Sequence, residues 1–409
     1  MPQGINGADT AWVLMSAGLV MLMTPALGFF YGGLVRRKNV LSTLMHSLFI
    51  LALISVQWVL WGYSLAFGPD RGGVIGGLEW VGLSGVGLAP NPDYAPTIPH
   101  QAFMIFQAMF AVITPALITG AFAERKKFKA FVLFSLLWAT FVYDPLAHWV
   151  WGTGGWLRDL GVLDFAGGTV VHISSGVSAL VAATVLGRRL GLGEEAMDPH
   201  DATMTVLGAA LLWFGWFGFN AGSALAANGL AVNAFVVTNT AAAMSALTWM
   251  TVSWIHKGRP SVVGAAAGAV AGLVAITPAA GFVNAQASIL IGLGAGLVCY
   301  GAIQLKGALG VDDALDVWAC HGVGGTWGAI ATGIFASLAI NSAGADGLVY
   351  GDPTLVLKQL VGVVVTWAYA AAATWAILKV VDAVVGVRVR EREEVLGLDA
   401  SQHGEAAYR

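Results

Sequence analysis

The feature that most constrains this chain is a series of long apolar stretches, separated by short segments that hold most of the charges. About 20 apolar residues suffice to cross a bilayer as a helix, and scanning with that window finds eleven candidate spans. The spans are 9–32, 41–66, 99–123, 128–150, 165–187, 202–220, 232–255, 261–277, 283–305, 317–337 and 355–382. Because a bilayer offers no water to backbone polar groups, such segments cross it as helices. The sequence therefore predicts an all-α integral membrane protein.

Charged residues are too scarce for a soluble protein of this size. Of 409 residues, 57% are hydrophobic and 11% charged, whereas soluble proteins carry roughly 25% charged residues. The 54 glycines suit membrane helices that approach each other closely. No surface for nucleic acid is predicted. The two cysteines, Cys299 and Cys320, lie in apolar segments, and we expect no disulfide between them.

The distribution of basic residues predicts the orientation of the chain, because cytoplasmic loops retain Lys and Arg. One set of alternate loops holds only Arg71, Arg158 and Lys358, and the opposite side with the C-terminal tail holds the other 17 of the 20 basic residues. The N-terminus is therefore predicted to lie outside and the C-terminus in the cytoplasm. We predict a transmembrane domain over 1–385 and a polar cytoplasmic tail over 386–409.

Similar segments recur in the same order in the two halves of the chain. The pairs are GFFYGG at 28–33 with GFNAGS at 218–223, ITPA at 113–116 with ITPA at 276–279, and Asp164 eight residues before His172 with Asp313 eight residues before His321. Five predicted spans separate the members of each pair, so equivalent helices cross in opposite directions. This pattern predicts an inverted five-plus-five repeat followed by a final long helix, with the substrate path between the halves.

Two histidines within predicted spans are candidates for function, because ionisable groups inside a bilayer are costly and usually functional. His172 lies early in the fifth span and His321 near the start of the tenth. If these spans run in opposite directions, the imidazoles can meet near the membrane centre and pass a proton or a polar solute. The alternatives are two separate histidines bonded to backbone, or a metal site, for which two ligands are too few for zinc. We predict no metal and no cofactor.

Other polar and aromatic residues near the span ends have structural interpretations. Asp164, at the start of the fifth span, is predicted to cap free backbone N–H groups, with a secondary pull on a nearby cation. Asp313 and Asp316 are expected to be solvated loop residues or caps. Trp151 follows the fourth span, and its position alone indicates an interfacial anchor.

Together these segments resemble the ammonium transporter family (Amt/Mep/Rh) over essentially the whole chain. The resemblance is carried by FFYGGLVRRKNVLS at 29–42, GAFAERKKF at 120–128, DFAGGTVVHISSG at 164–176, GWFGFNAGSA at 215–224, TPAAG at 277–281, VDDALDVWACHGVGG at 311–325 and the tail segment RVREREEVLGLDASQHGE. Trp151 and Ser223 match the Amt branch, since the Rh branch typically lacks this tryptophan and serine. The stretch between Trp151 and Asp164 is about one residue longer than in the best-known members and carries Arg158 and Asp159, which leaves the outer loop shape open.

The family implies a homotrimer in the cell (inner or plasma) membrane, with a pore in each subunit. Carried over by motif, the roles are an external ammonium site of Trp151, Phe110 and Ser223, a flanking ring at Phe106, a gate of Phe110 and Phe219, pore histidines at His172 and His321, and an acidic residue, Asp164, that shapes the outer site. Methylammonium is expected to act as a substrate analogue. The tail is expected to regulate transport and to dock a PII-type nitrogen-signalling protein, although as a disordered end it would tolerate deletion.

These residue types suit a cation that loses its proton before it crosses. Aromatic faces attract a cation, a hydroxyl accepts a hydrogen bond, and neutral imidazoles both donate and accept hydrogen bonds. Whether the proton follows separately is open, and so therefore is electrogenic or electroneutral transport. The competing functions are an ammonium sensor, an ion-coupled transporter of the alternating-access type, and a membrane enzyme with histidine acid–base chemistry, for which no nucleophile is evident.

Overall fold

The structure is a computed structural model that describes residues 4–408. Within them, nine helices are long and apolar enough to cross a membrane. They are α1 (Gly7–Leu34), α2 (Arg37–Phe67), α3 (His100–Phe122), α4 (Phe128–Leu160), α5 (Gly168–Leu186), α6 (Ala202–Ala224), α7 (Gly229–Lys257), α9 (Ala285–Leu309) and α11 (Thr354–Val385). The chain is thus a multi-pass membrane protein, as its hydropathy predicts.

The two remaining predicted spans are helical as well. Helix α8 (Val262–Ile276) has 15 residues, which is short for a crossing. Helix α10 covers 318–335 and begins with the π-helical turn Trp318–Val323. All eleven predicted spans therefore coincide with helical segments. Their ends differ from the predicted ends by a few residues, except that α4 continues past a break after Trp151 into the short segment Trp156–Leu160.

Local sequence signals start and stop several of these helices. The side chain of Asn6 accepts hydrogen bonds from the backbone N–H groups of Ala8 and Asp9 and so caps α1. Asn228 and Asn284 cap α7 and α9 in the same way. Such caps satisfy N–H groups that have no partner within the helix.

Two pairs of helices at corresponding positions in the two halves of the sequence pack against each other. Helix α1 packs along α6, and α5 packs against α10. A Cβ atom built on Gly208 in α6 would lie 2.6 Å from the Cα of Phe30 in α1. Glycine at this crossing therefore permits backbone contact between helices, as is usual in membrane bundles.

Outside the bundle, one end carries a small antiparallel hairpin of β1 (Asp70–Arg71) and β2 (Ile75–Gly76), in which Asp70 pairs with Gly76. The C-terminal tail contacts loops of the same chain. It contains helix α12 (Glu391–Leu396) and the π-helical turn Asp399–His403.

The tail is ordered against the loops. The backbone N–H of Lys127 donates to the carbonyl of Val387 at 3.0 Å, and the N–H of Val389 donates to the carbonyl of Arg125 at 3.0 Å. The Asp399 carboxylate accepts a hydrogen bond from the N–H of Ser42 at 2.8 Å. Residues 386–408 are thus held by hydrogen bonds to the loops and do not form a disordered end. Arg409 and residues 1–3, at the ends of the two predicted domains, lie outside the described residues.

The structure contradicts one of the two interpretations of Asp313, which were a solvated loop residue and a helix cap. Its side chain is fully buried, so the solvated interpretation is wrong. The capping interpretation is confirmed, because the carboxylate accepts a hydrogen bond from the N–H of Trp318 at 2.7 Å, at the start of α10. Asp316 is partly exposed and forms an ion pair with Lys306.

Candidate functional site

The structure brings the two predicted membrane histidines into direct contact. The Nδ1 atoms of His172 and His321 lie 3.2 Å apart, and the ring planes are inclined by 25°. Both side chains are buried, at 1% and 3% exposure. One imidazole donates and the other accepts, so two neutral rings form this hydrogen bond without an added proton. Within the described residues, the Nε2 atom of His172 has no hydrogen-bond partner and is available to a guest molecule.

Each histidine lies in a π-helical turn preceded by a capping aspartate. His172 is in the turn Gly168–Ile173, and the Asp164 carboxylate accepts hydrogen bonds from the N–H groups of Gly167 and Gly168 at 2.8 and 2.6 Å. It also accepts bonds from the N–H groups of Thr169 and Val170 at 2.7 and 3.2 Å and from the Thr169 hydroxyl. This is the capping role that the sequence predicts for Asp164. The π turn shifts the register of the helix beyond it, a feature common at functional sites.

Two glycines that the sequence analysis missed allow the histidine helices to touch. Gly176 and Gly325 each follow a histidine by four residues. A Cβ on Gly176 would lie 2.8 Å from the carbonyl carbon of His321 and against the backbone of Gly322. A Cβ on Gly325 would lie 3.0 Å from the Cβ of His172. Each glycine therefore lies against the other histidine's helix. The equal spacing from histidine to glycine in the two spans is the sequence feature that could have predicted this contact.

We expect Gly176→Ala to lower the stability of the protein by about 1–3 kcal/mol, because overpacking a close contact forces the backbones apart. Gly325→Ala should have a smaller effect, since its nearest contacts are at 3.0 Å or more. Thermal unfolding in detergent measures both variants. Gly301→Ala is the matched control, because a Cβ there meets nothing within 4 Å. Equal unfolding temperatures for the Gly176 and Gly301 variants would contradict this account.

A largely apolar cavity of about 80 Å³ lies on one side of the histidine pair. Its polar wall groups are mostly engaged with protein partners. The Tyr31 hydroxyl donates to the carbonyl of Leu117 at 2.9 Å, and Trp216 Nε1 donates to the Thr277 hydroxyl at 2.9 Å. The wall also includes Asp316, whose carboxylate is paired with Lys306. This inner cavity offers a guest little polar contact apart from the histidines.

A second cavity, of about 250 Å³, lies beyond Phe110. The predicted outer-site residues that line it are Trp151, Phe110, Ser223 and Asp164. Sequence reasoning missed Gln107 as a lining residue, although it lies one helical turn before Phe110. Among the described residues, the buried Gln107 Oε1 atom has no hydrogen-bond partner, so it is an available acceptor.

Two phenylalanine rings separate the cavities. Phe110 lines the outer cavity and Phe219 the inner one, their ring centroids are 4.3 Å apart, and each side chain is 1% exposed. His172 follows directly, with its ring centroid 6.0 Å from that of Phe219. Phe106 is fully buried behind Phe110, with ring centroids 4.9 Å apart. It supports the Phe110 ring from within the protein.

Trp151 and Ser223 are held by backbone carbonyls. Trp151 stands edge to face with Phe110 at 6.1 Å, and its Nε1 donates to the carbonyl of Asp164 at 2.9 Å. The indole is therefore part of the cavity wall. The Ser223 hydroxyl donates to the carbonyl of Phe219 at 2.8 Å. Its oxygen lone pairs remain available as acceptors.

Comparison with known proteins gives a consistent result. The family model described as Ammonium Transporter Family matches residues 11–408. The chain is 57% identical over 401 residues to an ammonium transporter of Bacillus subtilis (strain 168), covering 98% of each chain.

Solved structures agree in fold. The chain resembles the crystal structure of Candida albicans Mep2 with a TM-score of 0.91 and 39% identity, over 99% of this chain and 91% of that one. It also resembles the structure of a protein described as a Sensor Amt Protein, with a TM-score of 0.89 and 28% identity, over 97% of this chain and 98% of that one. With a family model over nearly its whole length and a relative of 57% identity, this chain belongs to the ammonium transporter family.

Proposed function

We propose that this protein is a channel-like ammonium transporter that binds ammonium at the outer cavity, removes its proton near the Phe110–Phe219 gate and conducts ammonia past His172 and His321. The observation that carries the proposal is the order of the parts. An aromatic cavity, a closed ring pair, a histidine pair and an apolar cavity follow one another.

The outer cavity has groups suited to a small cation. The faces of Trp151 and Phe110 attract a desolvated cation by about 0.5–2 kcal/mol, and the Ser223 oxygen supplies an acceptor. The Asp164 carboxylate is already engaged by its capping bonds, so it acts through its negative field and by holding the loop. Phe106 does not line the cavity, and it contributes by packing against the Phe110 ring and holding it in place. Methylammonium fits the same groups and serves as the analogue.

The inner cavity favours the neutral molecule over the cation. Transfer of an ion into an apolar medium costs tens of kcal/mol in the continuum limit, and several kcal/mol in proteins that relax around it. Removing a proton at pH 7 from an amine with the pKa of lysine costs about 4–5 kcal/mol, and ammonium is somewhat more acidic. An apolar cavity has few polar groups that can relax around an ion, so the cost of the ion lies toward the higher value and deprotonation is the less costly route. Potassium has no proton to lose and is excluded.

The histidine pair then serves as the hydrogen-bonding station in an otherwise apolar passage. Because the two Nδ1 atoms bond each other, the pair presents one Nε2 acceptor and one Nε2–H donor, which can bond an N–H group and the lone pair of ammonia. The proton released at the gate either returns to the outer cavity or crosses by a separate route. The first gives electroneutral transport and the second a current, so electrical recording distinguishes them.

The test is uptake by proteoliposomes containing the purified protein. Ammonium and methylammonium should enter, potassium should not, and uptake should be independent of sodium. Dependence on sodium would favour an alternating-access transporter. Binding without uptake would favour a sensor, which is how one structural relative is described. Chemical conversion of the substrate would favour an enzyme.

We further propose that α8 and α10 also cross the bilayer, which makes eleven spans in an inverted five-plus-five arrangement with a final long helix. The contacts of α1 with α6 and of α5 with α10 support this arrangement. The N-terminus then lies outside and the tail in the cytoplasm of a cell whose plasma membrane holds the protein as a homotrimer. Labelling of single cysteines placed in successive loops, in intact and in broken cells, tests the orientation.

The tail is proposed as a regulatory element that docks a PII-type signalling protein. Its contacts with the loops support a coupled role. The Glu394 carboxylate, 1% exposed, accepts a hydrogen bond from the N–H of Leu190 at 2.8 Å and pairs with Arg388 at 2.9 Å. Deletion of 386–409 should lower transport, and transport at the wild-type level after deletion would contradict the proposal.

A buried ion-pair cluster supports the loops beneath the tail. The Glu124 side chain is fully buried, and its carboxylate lies 2.7 Å from the Arg36 guanidinium and 3.5 Å from that of Arg189. The next residue, Arg125, accepts a backbone hydrogen bond from the tail. Burial alone would raise the pKa of Glu124, but the Arg189 and Arg36 guanidiniums outweigh it and hold that pKa below its usual value. Because the folded pKa is depressed, the stabilisation is complete above about pH 4–5 and is lost as pH falls through the folded pKa.

We therefore expect Glu124→Gln to destabilise the protein by roughly 1–3 kcal/mol at pH 7, since it leaves Arg189 with Asp312 alone and Arg36 with the exposed Glu195 alone. The difference from wild type should be smaller at an acid pH below the depressed pKa of Glu124, where the wild-type carboxylate is itself neutral. Thermal unfolding in detergent and protease cleavage of the tail, at both pH values, measure the effect. Glu195→Gln is the matched control, because Glu195 contacts the same Arg36 at 3.7 Å but is 69% exposed. A pH-independent difference would contradict the assignment.

A further inference from the structure

The outer cavity contains a fixed positive charge that the cation site does not explain. Arg158 lines this cavity together with Trp151, Phe110 and Ser223. Its guanidinium donates from Nη1 to the carbonyl of Trp151 at 2.8 Å and to the Thr153 hydroxyl at 3.3 Å. Both partners are neutral acceptors, so these bonds position the charge without neutralising it. A cation that enters the cavity therefore meets a like charge.

The other charged side chains of the cavity wall are Asp93 and Asp164. The Asp164 carboxylate is directed at the N–H groups of the π turn by its capping bonds. Asp93 and Arg158 are both exposed, so water and salt screen both of their fields. Arg158 therefore offsets part of the attraction that these two carboxylates exert on a cation.

The position of the Trp151 ring does not depend on Arg158. Arg158 bonds the backbone carbonyl of Trp151, whereas the indole Nε1 is held by the carbonyl of Asp164 at 2.9 Å, and the ring packs on Phe110. Removal of the guanidinium therefore leaves the indole with its own hydrogen bond and ring contact. The predominant consequence is electrostatic.

Resting on the proposed function, we propose that Arg158 is an affinity-determining residue of the outer cavity, whose positive charge weakens the recruitment of ammonium and methylammonium. Arg158 thereby determines the substrate concentration at which transport is half-maximal. The gate and the histidines determine which species crosses. The residue acts on the substrate through space across the cavity and takes no part in proton release.

The experiment measures methylammonium uptake by proteoliposomes at several concentrations, for wild type, Arg158→Gln, Arg158→Lys and Lys358→Gln. Arg158→Gln should lower KM by roughly twofold at low ionic strength, because Arg158 is exposed and its charge acts on the bound cation through water. The shift should shrink as salt is raised, because screening weakens it. Arg158→Lys keeps the charge and should retain a KM near that of wild type. Lys358→Gln removes a basic residue from outside the cavity wall and should leave KM unchanged.

Three results would overturn the proposal. They are an unchanged KM for Arg158→Gln, a raised KM, which would identify Arg158 as a brace of the site, and a shift that is the same at low and high salt. Absence of methylammonium uptake by the wild-type protein would instead overturn the proposed transport function, so the two failures are distinguishable.

Discussion

Replacing His172 and His321 together with leucine should reduce methylammonium uptake and any ammonium-evoked current by at least about tenfold. The two imidazoles face an otherwise apolar passage, so leucine removes the hydrogen bonds that ammonia would make there. Each such bond contributes about 0.5–1.5 kcal/mol net, and each 1.36 kcal/mol on a barrier is about tenfold in rate. Leucine has a volume close to that of histidine, so the cavity should keep its size and shape.

The matched control is the double replacement with asparagine, which retains a donor and an acceptor on each side chain. It should keep more transport than the leucine pair. Full ammonium current with undiminished selectivity over potassium in the leucine variant would falsify the role of the histidines. Thermal unfolding of both variants shows whether a loss of transport reflects a loss of fold.

Replacing Asp164 with alanine should have the largest effect on the fold of any single change in the site. The side chain is 7% exposed, and its carboxylate accepts hydrogen bonds from the N–H groups of Gly167, Gly168 and Thr169. Each buried donor left without a partner costs about 1–3 kcal/mol. We expect a loss of roughly 3 kcal/mol or more, observed as a lower unfolding temperature in detergent.

Transport should be lost with it, for a geometric reason. The carbonyl of Asp164 holds the Trp151 indole, and the π turn that the carboxylate caps positions His172. A movement of this segment therefore disturbs the outer site and the histidine pair together. Asp164→Asn, which keeps one side-chain oxygen as an acceptor, should be intermediate in stability. An alanine variant as stable as wild type would show that these capping bonds contribute little.

Asp313 offers an internal comparison, since it precedes His321 by the same number of residues. Its carboxylate caps the other histidine helix through the N–H of Trp318, and its second oxygen has no hydrogen-bond partner among the described residues. Asp313→Ala should therefore destabilise the protein less than Asp164→Ala. The two halves share a sequence pattern, but they differ in how completely the cap is used.

Much of the site can be predicted from short-range patterns. The spacing of Asp164 and Asp313 from their histidines indicates caps and a paired element, and the family motifs indicate Trp151, Phe110 and Ser223. The burial of Asp313 is not predictable in this way, because a carboxylate between two spans is expected to face water. Its burial depends on the helices and on Lys306 around it, which no local pattern reveals.

The sequence by itself determined the membrane class, the position of the helical segments and the family, because hydropathy, caps and motifs are properties of neighbouring residues. Only the tertiary structure decided that Phe110 and Phe219 close one cavity from another, that Gly176 and Gly325 let the histidines touch, and that Arg158 lies in the cavity wall. Those contacts join residues far apart in the chain, and they depend on which helix faces pack together. Packing is a three-dimensional fit of whole surfaces, and the order of residues along one helix does not specify it.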